Sequence, residues 1–204
     1  MNFGIDLDGC LADFNSAYTK LLIDESGEDR FPPDRTPNTF PPVWFYEREF
    51  GYSKEVEEKV WTKIKSDPNF WYNLSPYYNA YDAFELLNDL DTSDHSIYFI
   101  THRGGVAPKQ QTESWLINHG DFECPTVIIA GDKTPLMEPL GLDFFIDDKP
   151  ETIQDICKSN TKVTNGGLYI LDRPYNKHIV GDAIRTPSVA AALTDFMKGK
   201  NING

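Results

Sequence analysis

Short apolar runs along the chain alternate with longer stretches in which apolar residues recur at helical spacing. Four of these runs lead into polar residues, and they start at Phe3, Ile97, Val127 and Leu142. Strands that are buried on both faces of a parallel sheet are apolar in this way, and the helices between them cover the sheet. The pattern therefore predicts an α/β fold, in which helices cover both sides of a parallel sheet.

Local signals place further elements. Another apolar run predicts a fifth strand over 167–171. Ser53 and Ser188 stand where an N-cap is expected, because a serine hydroxyl can accept a bond from a free amide of the first helical turn. Pro108 and Gly120 mark the two ends of another helix. The predicted helices cover 15–24, 54–65, 80–90, 108–118, 151–158 and 188–197.

The region between residues 14 and 76 lacks the strand-like spacing of the rest of the chain. It contains an amphipathic helix, then a stretch over 31–46 that is dense in proline and aromatic residues, and then the helix that follows Ser53. We expect this insertion to form a small, mostly helical cap over the edge of the sheet. Residues 1–13 and 77–204 then form the core.

Two carboxylates follow the first apolar run. Asp6 and Asp8 alternate with Ile5 and Leu7, so a strand here points both acids to one side at its C-terminal end. Ligands of α/β proteins bind at that end of the sheet. Two such close negative charges shift each other's pKa. An oxygen-preferring divalent cation, Mg²⁺ above all, is the simplest group that would stabilise them together. An acidic surface turn is the alternative for these two residues alone.

The other apolar runs end in further polar groups. Thr101 follows the second run, Lys133 the third, and the pair Asp147 and Asp148 the fourth. A parallel sheet brings these ends to one edge, which would gather four carboxylates, a hydroxyl and a lysine. That set suits the transfer of a phosphoryl group. A capping threonine, a solvated lysine and an acidic turn are the structural alternatives.

In chain order, these residues resemble the four motifs of the haloacid dehalogenase superfamily. The four motifs correspond to Asp6-x-Asp8-Gly9, Thr101, Lys133 and Asp147-Asp148. The resemblance implies a Rossmann-like three-layer core, a cap inserted after the first strand, and a Mg²⁺-dependent phosphatase activity.

Within that superfamily, the chain is similar to the 5′(3′)-deoxyribonucleotidases. The similar segments start at Asp8, Phe70, Asp132 and Ile146, and the resemblance covers roughly residues 2–176. Two segments depart from the usual pattern. Cys10 stands where a small aliphatic residue is more common, and Thr101-His102-Arg103 replaces a Thr-Ser-Pro or Thr-Ala-Arg type of segment.

The resemblance implies a catalytic role for two residues and a phosphate-binding role for others. Asp6 is the nucleophile that gives an aspartyl-phosphate, and Asp8 protonates the leaving oxygen and later deprotonates water. Gly9 allows a tight turn with its amides towards phosphate. The remaining phosphate-binding candidates are Thr101, His102 and Lys133.

The resemblance also implies a metal site and a substrate site. The predicted Mg²⁺ ligands are Asp6, Asp8 through its backbone carbonyl, Asp147 and Asp148, the last through water unless it holds Lys133 instead. The predicted substrate-binding residues are Phe45, Phe70 and Trp71, which could stack on a base, and Arg103, which could pair with a phosphate or a sugar hydroxyl.

Composition excludes several classes of protein. The net charge is −13 and there is no basic cluster, which argues against a polynucleotide substrate. No apolar run approaches the length of a membrane span. The first strand begins at once and leaves no room for a signal peptide, so we expect a cytoplasmic location.

Three hypotheses for the function stand at this point. The first is a 5′-nucleotidase for deoxyribonucleoside monophosphates, and the second is a phosphatase for another small metabolite such as a sugar phosphate. The third is a non-catalytic phosphate-binding protein. The complete motif set favours an enzyme, and the aromatic cap favours a nucleotide. The sequence leaves open the base, the preference for deoxyribose and the oligomeric state, a homodimer included.

Overall fold

A computed structural model describes residues 1–32, 41–178 and 181–200. Part of the predicted cap, residues 33–40, lies outside the described residues. The strands are β1 Asn2–Ile5, β2 Ser96–Thr101, β3 Thr126–Ile129, β4 Phe144–Asp147, β5 Leu168–Leu171 and β6 Ile184–Thr186. The helices are α1 Phe14–Ser26, α2 Tyr46–Glu49, α3 Lys54–Ser66, α4 Ala80–Asp91, α5 Pro108–Gly120, α6 Pro150–Ser159 and α7 Val189–Gly199.

The six strands form one parallel sheet in the order β3-β2-β1-β4-β5-β6. The central strand β1 places Phe3 opposite Ile97 of β2 on one side and Phe144 of β4 on the other. Because all strands run in the same direction, their carboxyl ends lie at one edge. The α/β fold and the parallel sheet predicted from the apolar runs are confirmed.

The sheet separates two hydrophobic clusters. In β4, Phe144 and Ile146 pack into the cluster that includes residues of α4, α5 and α7, whereas Phe145 packs into the cluster formed with α6. This alternation follows from the twofold period of a strand. Gly4 faces Phe145 closely enough that a Cβ would lie 2.7 Å from that ring. The resulting arrangement has three layers.

Helices α1, α2 and α3 lie in the chain between β1 and α4. Buried Leu22 of α1 packs in the same cluster as Val60 and Ile64 of α3, and this cluster continues into the first sheet face. Ser53 caps α3 as predicted, since its hydroxyl accepts a bond from the amide of Val56 at 3.3 Å. The insertion therefore shares one apolar core with the sheet, while its boundaries at 14 and 76 remain a prediction.

Two local features differ from expectation. Strand β6 was not predicted, because Ile184 and Arg185 are exposed at the sheet edge and lack an apolar pattern. Helix α5 includes Gly120, and Asp121 takes the left-handed C-cap conformation instead. In the part of the chain that the structure describes, no helix combines the length and the apolar character that crossing a bilayer requires.

Candidate active site

A cavity of about 280 Å³ opens at the carboxyl edge of the sheet and is also lined by residues of α1, α2 and α3. It brings together ten of the residues predicted from the sequence. These are Asp6, Asp8, Gly9, Phe45, Trp71, Thr101, His102, Lys133, Asp147 and Asp148.

Lys133 joins two of the acids. Its Nζ donates to Oδ1 of Asp6 at 2.5 Å and to Oδ2 of Asp147 at 2.7 Å, and all three side chains are nearly inaccessible to solvent. Burial alone would lower the pKa of Lys133, but Asp147 and Asp6 raise it above its ordinary value. The lysine is therefore a permanent cation beside the predicted nucleophile.

Arg103 holds Asp8 from outside the cavity lining. Nε of the guanidinium donates to Oδ2 of Asp8 at 3.0 Å and NH2 donates to Oδ1 at 2.7 Å. The Thr101 hydroxyl also donates to Oδ2 of Asp8, at 3.3 Å. Arg103 has no exposed side-chain surface and bonds to Thr112 on its other side. The structure thus makes Arg103 a support for Asp8 and does not place it in the predicted substrate-binding position.

Position 9 requires glycine, both because of its backbone conformation and because a neighbouring side chain lies too close for a Cβ. Its φ of +85° lies in the left-handed region, and a Cβ there would lie 2.1 Å from Oδ2 of Asp148. Any other residue would strain the backbone and collide with that carboxylate. Gly9 therefore lets the loop after β1 approach the loop after β4.

The segment Arg173–Asn176, to which no chemical role could be assigned from the sequence, supports both loops. Arg173 donates to the carbonyl of Gly9 through NH2 at 2.9 Å. The Tyr175 hydroxyl donates to the carboxylate of Asp148, and the Asn176 amide donates to the Asp148 carbonyl at 2.9 Å. Tyr175 also lines the cavity.

The carboxylates at this edge are buried close together, which disfavours their charged forms. Burial raises the pKa of Asp6 well above its ordinary value, and Asp147, Asp148 and Asp8 raise it further against the opposing effect of Lys133. Burial and Asp147 raise the pKa of Asp148 to about 7. Carboxylates in this state are stabilised by an additional positive charge.

The same groups form a candidate metal site. Among the described residues, Asp6, Cys10 and Asp148 each bring a ligand atom within 4.8 Å of the others. The carboxylate oxygens suit a hard divalent cation such as Mg²⁺. Burial and the charge of Asp6 raise the pKa of the Cys10 thiol, which keeps it protonated and a poor ligand.

This cluster differs in part from the predicted ligand set. Each carboxylate oxygen of Asp147 accepts one hydrogen bond, Oδ2 from Lys133 and Oδ1 from the amide of Lys149 at 2.7 Å. The acid that holds Lys133 beside Asp6 is thus Asp147 and not Asp148. Both oxygens of Asp8 likewise accept bonds from Arg103, whereas Asp6 and Asp148 each accept a bond through one oxygen and keep a second oxygen with no hydrogen bond among the described residues.

The loop after β2 carries His102 and a pair of glycines. Burial and the charges of Lys149 and Lys133 lower the pKa of His102, which disfavours its protonated form. Gly105 has φ +96°, and a Cβ there would lie 2.4 Å from the backbone oxygen of Lys65. The glycine therefore allows contact with the end of α3.

The predicted substrate-binding aromatics are divided between the cavity and the core. Phe45 lines the cavity and is 52% exposed, whereas Trp71 lines it with 2% exposure. The indole of Trp71 donates to the carbonyl of Gly104 at 2.9 Å. Phe70 packs edge-on against Trp71 and Phe14 and is absent from the lining. Composition alone could not show which face of the insertion each ring occupies.

Several cavity residues were not singled out from the sequence. The inserted helices and the segment before α2 contribute an aromatic and acidic wall that includes Tyr18, Trp44, Glu47, Glu57 and Trp61. Trp44 belongs to the stretch rich in proline and aromatic residues, which was the available signal. No sequence pattern distinguished Glu47 from the exposed acids around it.

Comparisons with known proteins agree with this geometry. Residues 1–198 match the model of the family described as 5′ nucleotidase, deoxy (pyrimidine), cytosolic type C protein. A protein named "Putative nucleotidase" from Bacillus cereus is 28% identical over 190 residues, which cover 88% of this chain and 90% of that protein. A relative of the same description from Oceanobacillus iheyensis is 26% identical over 189 residues, covering 87% of this chain and 90% of its own.

The fold has its counterpart among solved structures. A haloacid dehalogenase-like hydrolase from Xanthomonas campestris aligns with a TM-score of 0.51 and 12% identity, over 100% of this chain and 98% of that one. The likeness concerns the fold, while the family match covers nearly the whole sequence. The chain belongs to the 5′ nucleotidase, deoxy (pyrimidine), cytosolic type C family and is a phosphoric monoester hydrolase with the haloacid dehalogenase fold.

Proposed function

We propose that the protein is a Mg²⁺-dependent 5′-nucleotidase that hydrolyses deoxyribonucleoside monophosphates through an aspartyl-phosphate on Asp6. The observation that carries this proposal is the composition of a single cavity. Its sheet edge presents the acids and Lys133, and its opposite wall presents the aromatic rings of the insertion. The same cavity can therefore hold the phosphate at the sheet edge and the base against the aromatic rings. The nucleotidase relatives support the same substrate class.

Asp6 attacks phosphorus through one carboxylate oxygen, and the bond from phosphorus to the 5′ oxygen of the sugar breaks. Lys133 reduces the repulsion between the carboxylate and the phosphate because it stays protonated beside Asp6. The hydroxyl of Thr101 and the amides of the loop after β1 bind the other phosphate oxygens. Water then attacks the same phosphorus, which releases inorganic phosphate and regenerates Asp6.

Asp8 transfers the protons in both steps. It protonates the leaving 5′ oxygen, and in the second step it takes a proton from the attacking water. In the structure both of its oxygens accept bonds from Arg103. The carboxylate must therefore turn from the guanidinium towards the substrate, and Arg103 defines the position from which it starts.

Asp6 and Asp148, together with the backbone carbonyl of Asp8, would hold the metal ion. A bound Mg²⁺ would supply positive charge that offsets the repulsion between an anionic nucleophile and an anionic substrate. We also propose that residues 14–76 act as a cap that excludes water from the site, and that the protein works in the cytoplasm, as the family description says of its members.

A phosphate-release screen tests this proposal. Deoxyribonucleoside and ribonucleoside monophosphates, deoxyribose 5-phosphate and other sugar phosphates are compared, each with Mg²⁺ and after chelation. We expect the largest kcat/KM on a nucleoside monophosphate and no turnover without metal. A higher kcat/KM on a sugar phosphate than on any nucleotide would replace the nucleotidase assignment with the second hypothesis.

A further inference from the structure

One side chain of the segment Arg173–Asn176 reaches the cavity itself. Tyr175 lies in a short 3₁₀ turn, is buried and lines the cavity. Its hydroxyl donates to Oδ2 of Asp148, which is one of the two acids that keep an oxygen for a metal ion. A buried phenol from outside the four motifs therefore touches a proposed metal ligand.

The same segment holds both the backbone and the side chain of Asp148. The Asn176 amide donates to the Asp148 carbonyl at 2.9 Å, and the Tyr175 hydroxyl holds Oδ2. A carboxylate can turn about its last carbon–carbon bond unless one oxygen is held, so the hydroxyl also sets the direction of Oδ1. The Asp148 carboxylate offers a ligand atom within 4.8 Å of one from Asp6. The phenol thus controls how the second acid faces the first.

A tryptophan of the insertion packs on this arrangement. The ring of Trp44 meets the ring of Tyr175 edge-on, with centres 5.3 Å apart and planes at 73°, which is a favourable geometry for an aromatic pair. Nζ of Lys149 lies 5.8 Å from the centre of the Trp44 ring, and Lys149 directly follows Asp148 in the chain. A line of contacts therefore runs from the insertion through Trp44 and Tyr175 to Asp148.

We propose that Tyr175 is a positioning residue of the metal site, which orients Asp148 for a divalent cation, and that Trp44 holds Tyr175 in place. The insertion then contributes to the affinity for the metal as well as to the wall of the cavity. This inference rests on the metal site of the proposed function. Partners that hydrogen-bond to a metal ligand commonly change metal affinity by about 10- to 100-fold when they are removed.

Calorimetric titration of Mg²⁺ without substrate tests the hydroxyl. Tyr175→Phe removes the hydroxyl but keeps the ring against Trp44, so the Kd for Mg²⁺ should rise by about tenfold or more. Tyr169→Phe is the matched control. Tyr169 is also buried, and its hydroxyl donates to Asp195 at 2.8 Å, away from the residues that line the cavity. The control should keep the Kd of the wild type.

The same titration on variants of the insertion tests Trp44. Trp44→Ala should raise the Kd for Mg²⁺ by between about two- and tenfold, the range that corresponds to the loss of one aromatic pair. Phe45→Ala removes a neighbouring exposed ring that packs against Arg48, so it should leave this Kd unchanged. Because Trp44 acts through Tyr175, the double variant Trp44→Ala, Tyr175→Phe should weaken binding by less than the product of the two separate factors.

The Mg²⁺ dependence of turnover provides a readout that a purely structural role would not change in the same way. In Tyr175→Phe, the Mg²⁺ concentration for half-maximal turnover should rise by the same factor as the Kd. At saturating Mg²⁺, kcat should approach the wild-type value, since the metal then occupies its site in both proteins. Loss of packing alone would lower kcat and Tm without rescue by the metal.

Failure of this inference can be told apart from failure of the proposed function. If the wild type binds Mg²⁺ and Tyr175→Phe has the same Kd, the positioning role is overturned and the nucleotidase function stands. Equal weakening in Tyr175→Phe and Tyr169→Phe would also overturn the role, because the effect would then be a general destabilisation. An unchanged Kd in Trp44→Ala would overturn the contribution of the insertion. A wild type that binds no Mg²⁺ and hydrolyses nucleotides after chelation would overturn the proposed metal dependence itself.

Discussion

Arg103 and Asp8 form a two-point ion pair in which two different guanidinium nitrogens reach the two carboxylate oxygens, at 3.0 and 2.7 Å. Arg103 is fully buried between the faces of Trp71 and Trp115, with its guanidinium carbon 5.1 and 6.0 Å from their ring centres. Only Asp8 reaches the cavity. The starting orientation of the proposed general acid is thus set by a group that is closed off from solvent.

Substitution of Arg103 tests this relationship. Arg103→Lys keeps the charge but loses the planar two-point geometry, so kcat should fall by about a hundredfold, because small displacements of a catalytic group carry costs of that order. Arg103→Met should lower both kcat and Tm, since it leaves Asp8 without its buried partner. Lys109→Met, on the exposed face of α5, serves as the control. Wild-type kcat in Arg103→Lys would contradict the positioning role.

Asp6→Asn tests the nucleophile. The amide keeps the size of the side chain but cannot attack phosphorus, so turnover should drop by about 10³-fold or more. Circular dichroism should show an intact fold. Activity within about tenfold of the wild type would exclude the covalent mechanism.

Metal removal tests the acidic cluster. Exhaustive chelation should abolish turnover of every substrate, and added Mg²⁺ should restore it. Ca²⁺ should bind but inhibit, because its larger and looser coordination shell fits poorly with in-line transfer. Calorimetry of Mg²⁺ binding should show weaker binding in Asp148→Asn than in wild type. Full activity of the chelated enzyme would show that the acidic cluster does not hold a metal ion that catalysis requires.

The raised pKa of Asp148 makes the metal-free protein sensitive to pH. Its folded-state pKa of about 7 lies above its ordinary value of 3.8, so the protonated form stabilises the fold. That contribution is complete below the ordinary value and is lost as the pH rises through about 7. In chelator, Tm should fall between pH 6 and pH 8, and Mg²⁺ should reverse the fall at pH 8. Asp148→Asn serves as the control, and its Tm should change less with pH than that of the wild type. An unchanged wild-type Tm across this range would refute the expectation.

Two aromatic residues should respond differently to truncation. Phe45→Ala, at an exposed ring of the cavity, should lower kcat/KM for a deoxyribonucleoside monophosphate by about tenfold or more. Its Tm and its activity on p-nitrophenyl phosphate should stay close to wild type. Trp71→Ala should lower both activities together and reduce stability by about 3–5 kcal/mol, as for other buried aromatic residues. A selective loss in Trp71→Ala without a fall in Tm would make Trp71 a direct substrate contact.

The positions of the strands and motifs were accessible from the sequence because they depend on local patterns. Five of the strands are apolar runs, and parallel pairing brings their polar ends together. Strand β6 has no such run, since two of its three residues face solvent. The motif residues Asp6, Thr101 and Lys133 therefore meet as predicted at one edge.

The remaining features depend on contacts between distant segments. The half-buried position of Phe70 against Trp71, the pairing of Arg103 with Asp8 and the approach of Gly105 to Lys65 each arise only when the insertion packs on the core. No spacing along the chain encodes which side of a ring or guanidinium faces a cavity. Aromatic composition could indicate a stacking wall, but it could not select its members.

The segment Arg173–Asn176 changes where the minimal catalytic unit ends. All four motifs are complete by Asp148, yet the loops that carry Gly9 and Asp148 are held by residues 25 or more positions later. Asn176 is in turn fixed by Arg185 of β6, at 2.7 Å. A truncated version or a chimera joined directly after β5 would retain every motif residue and lose the support that sets their spacing. Boundaries for domain grafting in this protein therefore belong beyond β6.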